Sequence, residues 1–136
     1  MPSEPLAKAK DRAWIEFSSQ ILMDQYRLSV SNNTEGLEKE AKLLNEKLER
    51  LEAVISSDGY FNGASLSLVD TALAPLFTRF NAMKDLYKRD YLEQYSKLSA
   101  LSDRLLSLES VKKSVIPDFA AVYLEYNRQK DSVLAA

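Results

Sequence analysis

Few side chains in this sequence can perform acid–base, nucleophilic or metal chemistry. Its 136 residues contain no histidine and no cysteine. The commonest general base, the thiol nucleophile and the disulfide are therefore excluded. Paired carboxylates such as Glu38 and Glu40 lie in a charged segment, without the apolar surroundings that acid–base catalysis needs. We therefore assign no catalytic residue and no metal site to the sequence.

Tyrosines are the remaining candidates for a functional surface. Tyr87, Tyr91 and Tyr95 are spaced four residues apart, and Tyr123 and Tyr126 follow near the C-terminus. Such rings can line a pocket for an electrophile or stack on nucleic-acid bases. Aromatic side chains more commonly pack in the core with their hydroxyls reaching water, and we favour that role for residues 87–95.

The charge pattern excludes several classes of partner. The formal net charge is −2, and the basic residues between positions 79 and 113 interleave with acidic ones, as on a solvated surface. They include Arg79, Lys84, Lys88, Arg89, Lys112 and Lys113. We predict no nucleic-acid interface. The sequence has no signal-peptide pattern and no run of about 18 apolar residues, so we predict a cytoplasmic protein without membrane association.

The elements that must position these side chains are helices. Only 3 glycines and 4 prolines occur in the chain, which disfavours the many tight turns of all-β folds. Apolar periodicity predicts helices that begin at Ser3 or Glu4, at Glu35 (to about Ser56), at Ser67, at about Tyr91 (to Leu108), and after Asp118. We predict one all-α domain over residues 1–136, a bundle of about five to six helices.

The third predicted helix combines a strong start signal with an internal proline. In the segment SLSLVDTAL, Ser67 and Asp70 have the spacing of a capping box, in which each side chain binds the backbone N–H of the other residue. Pro75 follows inside the apolar run, although an interior proline costs a helix ~3 kcal/mol. A firmly capped start explains how the helix tolerates it.

The segment GYFNGASLSLVDTALAPLFTRF resembles the signature of the C-terminal, all-helical domain of the glutathione transferase superfamily. The matching positions are Tyr60, Phe61, Gly63, Leu66, Ser67, Asp70 and Pro75. The stretches LAKAKDRAWIEF and LLNEKLERLEAVI resemble the first two helices of that domain, and the C-terminal stretch resembles bacterial members. The resemblance implies that fold over nearly the whole chain, with the box and its helix as a folding nucleus.

The resemblance also implies a missing half. These enzymes carry an N-terminal thioredoxin-like domain that binds glutathione and activates its thiol, and nothing in this sequence matches that domain. The chain alone is therefore expected to hold no cofactor and to be inactive in conjugation. Two functions remain open: the co-substrate-side domain of a glutathione transferase-like protein, or a stand-alone protein-interaction module of the same fold.

The resemblance further implies where a hydrophobic small molecule would bind. In this family the first helix and the C-terminal segment form walls of the co-substrate cleft. By analogy the candidate residues are Trp14, Phe17, Ser18, Leu22, Tyr123 and Tyr126. Several of them could equally be plain core, since the first helix carries parallel stripes, one of which contains Leu22 and Gln25.

The apolar stripes of the first helix also suggest a protein partner. Trp14, Ile15, Leu22 and Tyr26 add apolar faces beyond the one that a single core contact would bury. We predict that a thioredoxin-like domain, or a second copy in a homo-dimer, covers part of this helix.

Overall fold

The computed structural model describes residues 4–56 and 59–135, and in them it shows six α-helices and one short 3₁₀ helix. The α-helices are α1 (Pro5–Ser29), α2 (Thr34–Val54), α3 (Leu68–Tyr87), α4 (Ser96–Leu106), α5 (Glu109–Ser114) and α6 (Phe119–Gln129). The 3₁₀ helix spans Val133–Ala135. The predicted all-α class is confirmed. Of the two predicted first caps, Glu4 binds the N–H groups of Leu6 and Ala7, while Ser3 lies outside the described residues.

Helix α3 is the central helix of the bundle. It packs against α1, α4 and α6, and α1 in turn packs against α2. Phe77 of α3 is fully buried, and so are Ile21 of α1 and Leu48 of α2. The buried leucines of α2 follow the four-and-three spacing of the sequence: Leu37, Leu44, Leu48 and Leu51. Burial of this stripe against α1 explains why α2 is so regular.

The carboxylate of Asp70 joins the start of α3 to the turn before it. Its Oδ2 accepts the backbone N–H of Ser67 at 2.8 Å and the Ser67 hydroxyl at 2.9 Å. Its Oδ1 accepts the N–H of Phe61 at 2.9 Å, and the Asp70 side chain is fully buried. The turn reverses at Gly63, whose φ of 134° favours glycine. Asp70 therefore fixes both the helix start and the preceding loop.

Helix α4 begins five residues later than the sequence predicts, at Ser96 rather than at about Tyr91. The Asp90 carboxylate accepts the N–H of Leu92 at 3.1 Å, which closes a turn in place of a helical start. The cap of α4 comes from α2, because the Glu52 carboxylate accepts the N–H groups of Lys97 and Leu98 at 3.0 and 2.8 Å. A cap from another helix leaves no local sequence signal.

The three tyrosines spaced four apart do not share one helix face. Tyr87 is the last residue of α3, and Lys88 follows with a left-handed φ of 58°. Tyr91 packs on Phe80 with ring centroids 6.1 Å apart, and the Tyr95 hydroxyl donates to the Asn45 carbonyl at 3.1 Å. All three rings pack against the core. The rings thus pack as the sequence predicts, but the hydroxyls do not all reach water, because that of Tyr91 is buried.

Candidate functional site

An open apolar groove of about 710 Å³ lies between α3, α5 and the start of α6. One face of α3 forms its floor with Thr71, Ala74, Pro75 and Thr78, which follow helical spacing. The other apolar lining residues are Leu66, Leu105, Leu108, Val111, Val115, Ile116 and Phe119. Leu66 and Ile116 are 52% and 54% exposed. Apolar surface of this kind, open to water, is typical of a binding site.

A smaller cavity of about 230 Å³ lies between α1, α3 and α6. Its lining residues are Leu22, Met23, Gln25, Tyr26, Ser29, Arg79 and Tyr123. The residues from α1 recur every three or four positions, so one face of that helix supplies most of the wall. Arg79 also lines the groove. The groove and the cavity are therefore neighbouring recesses with a shared cationic side chain.

Two polar side chains, Gln25 and Arg79, line the cavity, and Arg79 also lines the groove. Gln25 is 1% exposed, and its Nε2 donates to the Leu76 carbonyl at 2.9 Å. Its Oε1 is buried without a hydrogen-bond partner in the described part of the chain. Arg79 donates from Nη1 to the Pro75 carbonyl at 3.0 Å, and its guanidinium lies 5.7 Å from the Phe119 ring centroid. An apolar space with a few fixed polar groups can orient a small molecule.

Two tyrosines of this site are held in the protonated form. Burial raises the pKa of Tyr123, and the nearby Ser29 and Asn127 side chains oppose that rise only in part. The hydrogen bond between the Tyr26 and Tyr126 hydroxyls, at 2.8 Å, raises the pKa of Tyr26. Both phenols are neutral near pH 7, so they can donate hydrogen bonds but do not act as bases there.

The structure brings together two of the six residues that the sequence analysis named. Leu22 and Tyr123 both line the cavity. Tyr126 is linked to it through the hydroxyl of Tyr26 and is 40% exposed. The sequence analysis missed Met23, Ser29 and Arg79. The i, i+4 and i+7 spacing from Leu22 could have indicated Tyr26 and Ser29, but Arg79 was read as solvated surface.

The other three named residues lie away from the cavity. Trp14 packs edge-on to Phe17 at 5.4 Å and against Phe61 at 6.0 Å. The Arg50 guanidinium stacks over the Phe17 ring at 5.0 Å. Ser18 is buried and donates its hydroxyl to the Trp14 carbonyl at 2.8 Å. In this structure Trp14, Phe17 and Ser18 are used in packing within the chain.

Metal ligation and membrane insertion find no support in the described residues. Among residues 4–56 and 59–135, no three or more acidic side chains cluster in a way that could hold a metal ion. None of the helices in the same ranges is both long and apolar enough to cross a membrane.

Comparisons with known proteins agree with this fold. Residues 34–104 match the family model described as glutathione S-transferase, C-terminal domain. The chain is 32% identical over 118 residues to glutathione S-transferase U19 of Arabidopsis thaliana, covering 87% of the chain and 53% of that protein. It is 30% identical over 132 residues to the probable glutathione S-transferase parC of Nicotiana tabacum, covering 96% of the chain and 59% of that protein.

A solved structure shows the same architecture. The chain resembles the crystal structure of glutathione transferase Omega 3C from Trametes versicolor with a TM-score of 0.78 and 26% identity. That match covers 95% of this chain and 56% of the other. The chain thus spans a little over half the length of these relatives. They come from plants and a fungus, so the predicted bacterial subtype stays a prediction.

Proposed function

Because the chain belongs to the glutathione S-transferase C-terminal domain family, we propose that it forms the helical, co-substrate-side half of a glutathione transferase-like protein. The proposed partner is a thioredoxin-like domain that binds glutathione. The chain spans 53% and 59% of the two plant relatives, which leaves room in proteins of that length for such a domain. A cytoplasmic location belongs to the same proposal.

The observation that carries the proposal is the apolar groove between α3, α5 and α6. Its volume of about 710 Å³ lies in the range of ~300–1,000 Å³ that small-molecule sites usually have. Leu66 and Ile116 expose apolar surface there that a bound apolar molecule would remove from water. We propose that the groove and the adjoining cavity hold the hydrophobic co-substrate.

We propose that the chain does not itself activate the glutathione thiol. Glutathione conjugation needs a site that holds the tripeptide and stabilises its thiolate near pH 7. The sequence has no histidine or cysteine, and the Asp70 carboxylate places a negative charge at the start of α3. We propose that the 136-residue chain binds apolar molecules but does not bind glutathione.

Ligand binding tests the two halves of this proposal. Calorimetry should detect no heat of binding with millimolar glutathione, whereas the neutral fluorophore N-phenyl-1-naphthylamine should bind with saturable enhancement of its fluorescence. Thr71 is exposed and lines the groove, so Thr71→Trp should weaken fluorophore binding severalfold by filling it. The matched control is Lys39→Trp, on an exposed part of α2 outside the groove. If both variants bound the fluorophore equally well, the groove would not be its binding site.

A homo-dimer partner stays a second proposal for α1. Trp14, Ile15 and Leu22 are partly buried against the core of the same chain, so they offer less free surface than their spacing suggests. Tyr26 and Met23 are 42% and 53% exposed. Any self-association through this helix would use these two side chains first.

A further inference from the structure

Asn62 and Gly63 form the one asparagine–glycine pair in the sequence. Such a pair is prone to deamidation, because glycine has no side chain to hinder its backbone nitrogen when that nitrogen attacks the asparagine amide carbon. Every other asparagine of the chain precedes a residue with a side chain. Asn62 is exposed, and apart from its chain neighbours no described atom lies within 4 Å of a Cβ placed on Gly63. The pair therefore has room to react.

Two hydrogen bonds restrain the reacting groups in the folded chain. The Asn62 Nδ2 donates to Asp11 Oδ1 at 3.0 Å, and the Gly63 N–H donates to the Tyr60 carbonyl at 3.2 Å. The second bond is at the long end of the usual range for an N–H donor and a carbonyl. Both bonds must open before the Gly63 nitrogen can reach the Asn62 amide carbon. The bond to Asp11 therefore slows the reaction without blocking it.

Asp11 is a buried carboxylate that depends on Asn62. It is 4% exposed, and its Oδ2 has no hydrogen-bond partner in the described part of the chain. The ion pairs between described residues use other carboxylates. A buried carboxylate with few donors is sensitive to the loss of any one of them. Loss of the Asn62 amide would remove the donor that Oδ1 now has.

We propose that Asn62 is a self-modification site, and that its deamidation is a one-way switch that Asp11 senses. The Gly63 nitrogen loses its proton to hydroxide and bonds to the Asn62 amide carbon. The C–N bond of the side-chain amide breaks, and its nitrogen leaves as ammonia. Water then opens the cyclic imide to aspartate or isoaspartate. The net change consumes one water and releases one ammonia, with nothing oxidised or reduced. This inference does not depend on the proposed function.

The product carboxylate would face Asp11 where an amide donor stood. Like charges at hydrogen-bond distance repel each other, so the turn would move away from α1. Phe61 carries this change further, because its N–H donates to Asp70 and its ring packs against Trp14 at 6.0 Å. Separation of the turn from α1 would weaken both contacts, including the one that organises the start of α3. Deamidation would therefore make an aged copy of the chain less stable than a new one.

Peptide mass spectrometry of the folded chain, aged in warm and mildly alkaline buffer, tests the modification. The peptide that contains Asn62 should show the mass change of an amide converted to an acid before any other asparagine peptide does, and it should separate into aspartate and isoaspartate forms. Asp11→Ala removes the acceptor and should speed the reaction severalfold. If the peptide stayed intact in the folded chain but reacted in the urea-unfolded chain, the fold would protect the site and the inference would be overturned.

An exchange of the two side chains tests the role of Asp11. Asn62→Asp should lower the urea midpoint about twice as far as Asn62→Ala, because repulsion adds to the lost hydrogen bond. Asp11→Asn combined with Asn62→Asp restores one amide and one carboxylate in reversed order, and should recover most of the midpoint. The matched control, Asn81→Asp at an exposed position of α3, should change the midpoint little. Equal midpoints for Asn62→Asp and Asn62→Ala, or no recovery in the exchanged pair, would overturn the role of Asp11 as the sensor.

Discussion

Replacing Asp70 by alanine should lower the free energy of unfolding by about 3 kcal/mol, because the change strips partners from three donors at once. Two of those donors are the backbone N–H groups of Phe61 and Ser67, and the third is the Ser67 hydroxyl. The Asp70 side chain is fully buried, so water cannot readily take its place. Urea denaturation should show a lower midpoint with an unchanged slope.

Two matched variants separate this effect from loss of an ordinary cap. Ser67→Ala keeps the Asp70 carboxylate and both backbone hydrogen bonds, so the expected loss is only about 1 kcal/mol. Asp118→Ala removes an exposed aspartate that precedes α6 without a side-chain cap bond, and the expected change is below ~0.5 kcal/mol. An Asp70→Ala midpoint as close to the parent as that of Asp118→Ala would show that the carboxylate does not organise the α3 start.

Asp70 shows which contacts of this fold could be predicted from the sequence. Its spacing of three from Ser67 predicts the bond to the Ser67 N–H, because a helix start fixes that geometry locally. The bond to Phe61 crosses an irregular loop whose path no periodicity describes. Local spacing therefore predicts the cap but not the way the cap holds the loop.

The helix boundaries show the same difference between local and long-range hydrogen bonds. The leucine stripe of α2 follows from periodicity. The helix begins at Thr34, one residue before the predicted Glu35, and Asn33 caps it by accepting the N–H of Gly36 at 2.6 Å. The start of α4 depends on Glu52, which is 45 residues from Lys97 in sequence. A cap supplied by a residue distant in sequence cannot be predicted from the neighbouring residues. This is why the predicted boundary of α4 is wrong by five residues.

The candidate site was predictable only in part. Leu22 was named through the resemblance to the family, and Gln25 lies in the same stripe that the helical repeat predicts. Arg79 could not be recognised, because its surroundings depend on where α6 places Phe119 and Tyr123. Whether a basic residue is solvated or lines a recess depends on packing that the sequence pattern does not encode.

The second large effect that we expect concerns glutathione conjugation, which should be absent in the isolated chain and present in a chimera with a glutathione-binding domain. The isolated chain should give only the uncatalysed rate with glutathione and 1-chloro-2,4-dinitrobenzene, because in our proposal the glutathione site lies in a separate domain. In a chimera, this chain would replace the matching part of the Arabidopsis relative, and the rest of that protein would be kept. The chimera should catalyse the reaction. A site that binds glutathione and holds the electrophile beside it gains rate from proximity. We expect turnover about a hundredfold above background.

A control variant shows whether this chain takes part in the reaction of the chimera. Thr71→Trp in the chimera should raise KM for the electrophile, because it fills the groove, and should leave KM for glutathione unchanged. Lys39→Trp should alter neither value. If Thr71→Trp changed KM for glutathione alone, the groove would not be the binding site for the electrophile.

The most direct test of the central claim is the initial rate of glutathione conjugation, measured side by side for the pure 136-residue chain and for the folded chimera. Our account predicts the uncatalysed rate for the chain and saturable turnover for the chimera. Saturable turnover by the chain alone would contradict it, because the chain would then contain a complete active site. A folded chimera that binds glutathione but remains inactive would also contradict it and favour the interaction-module function.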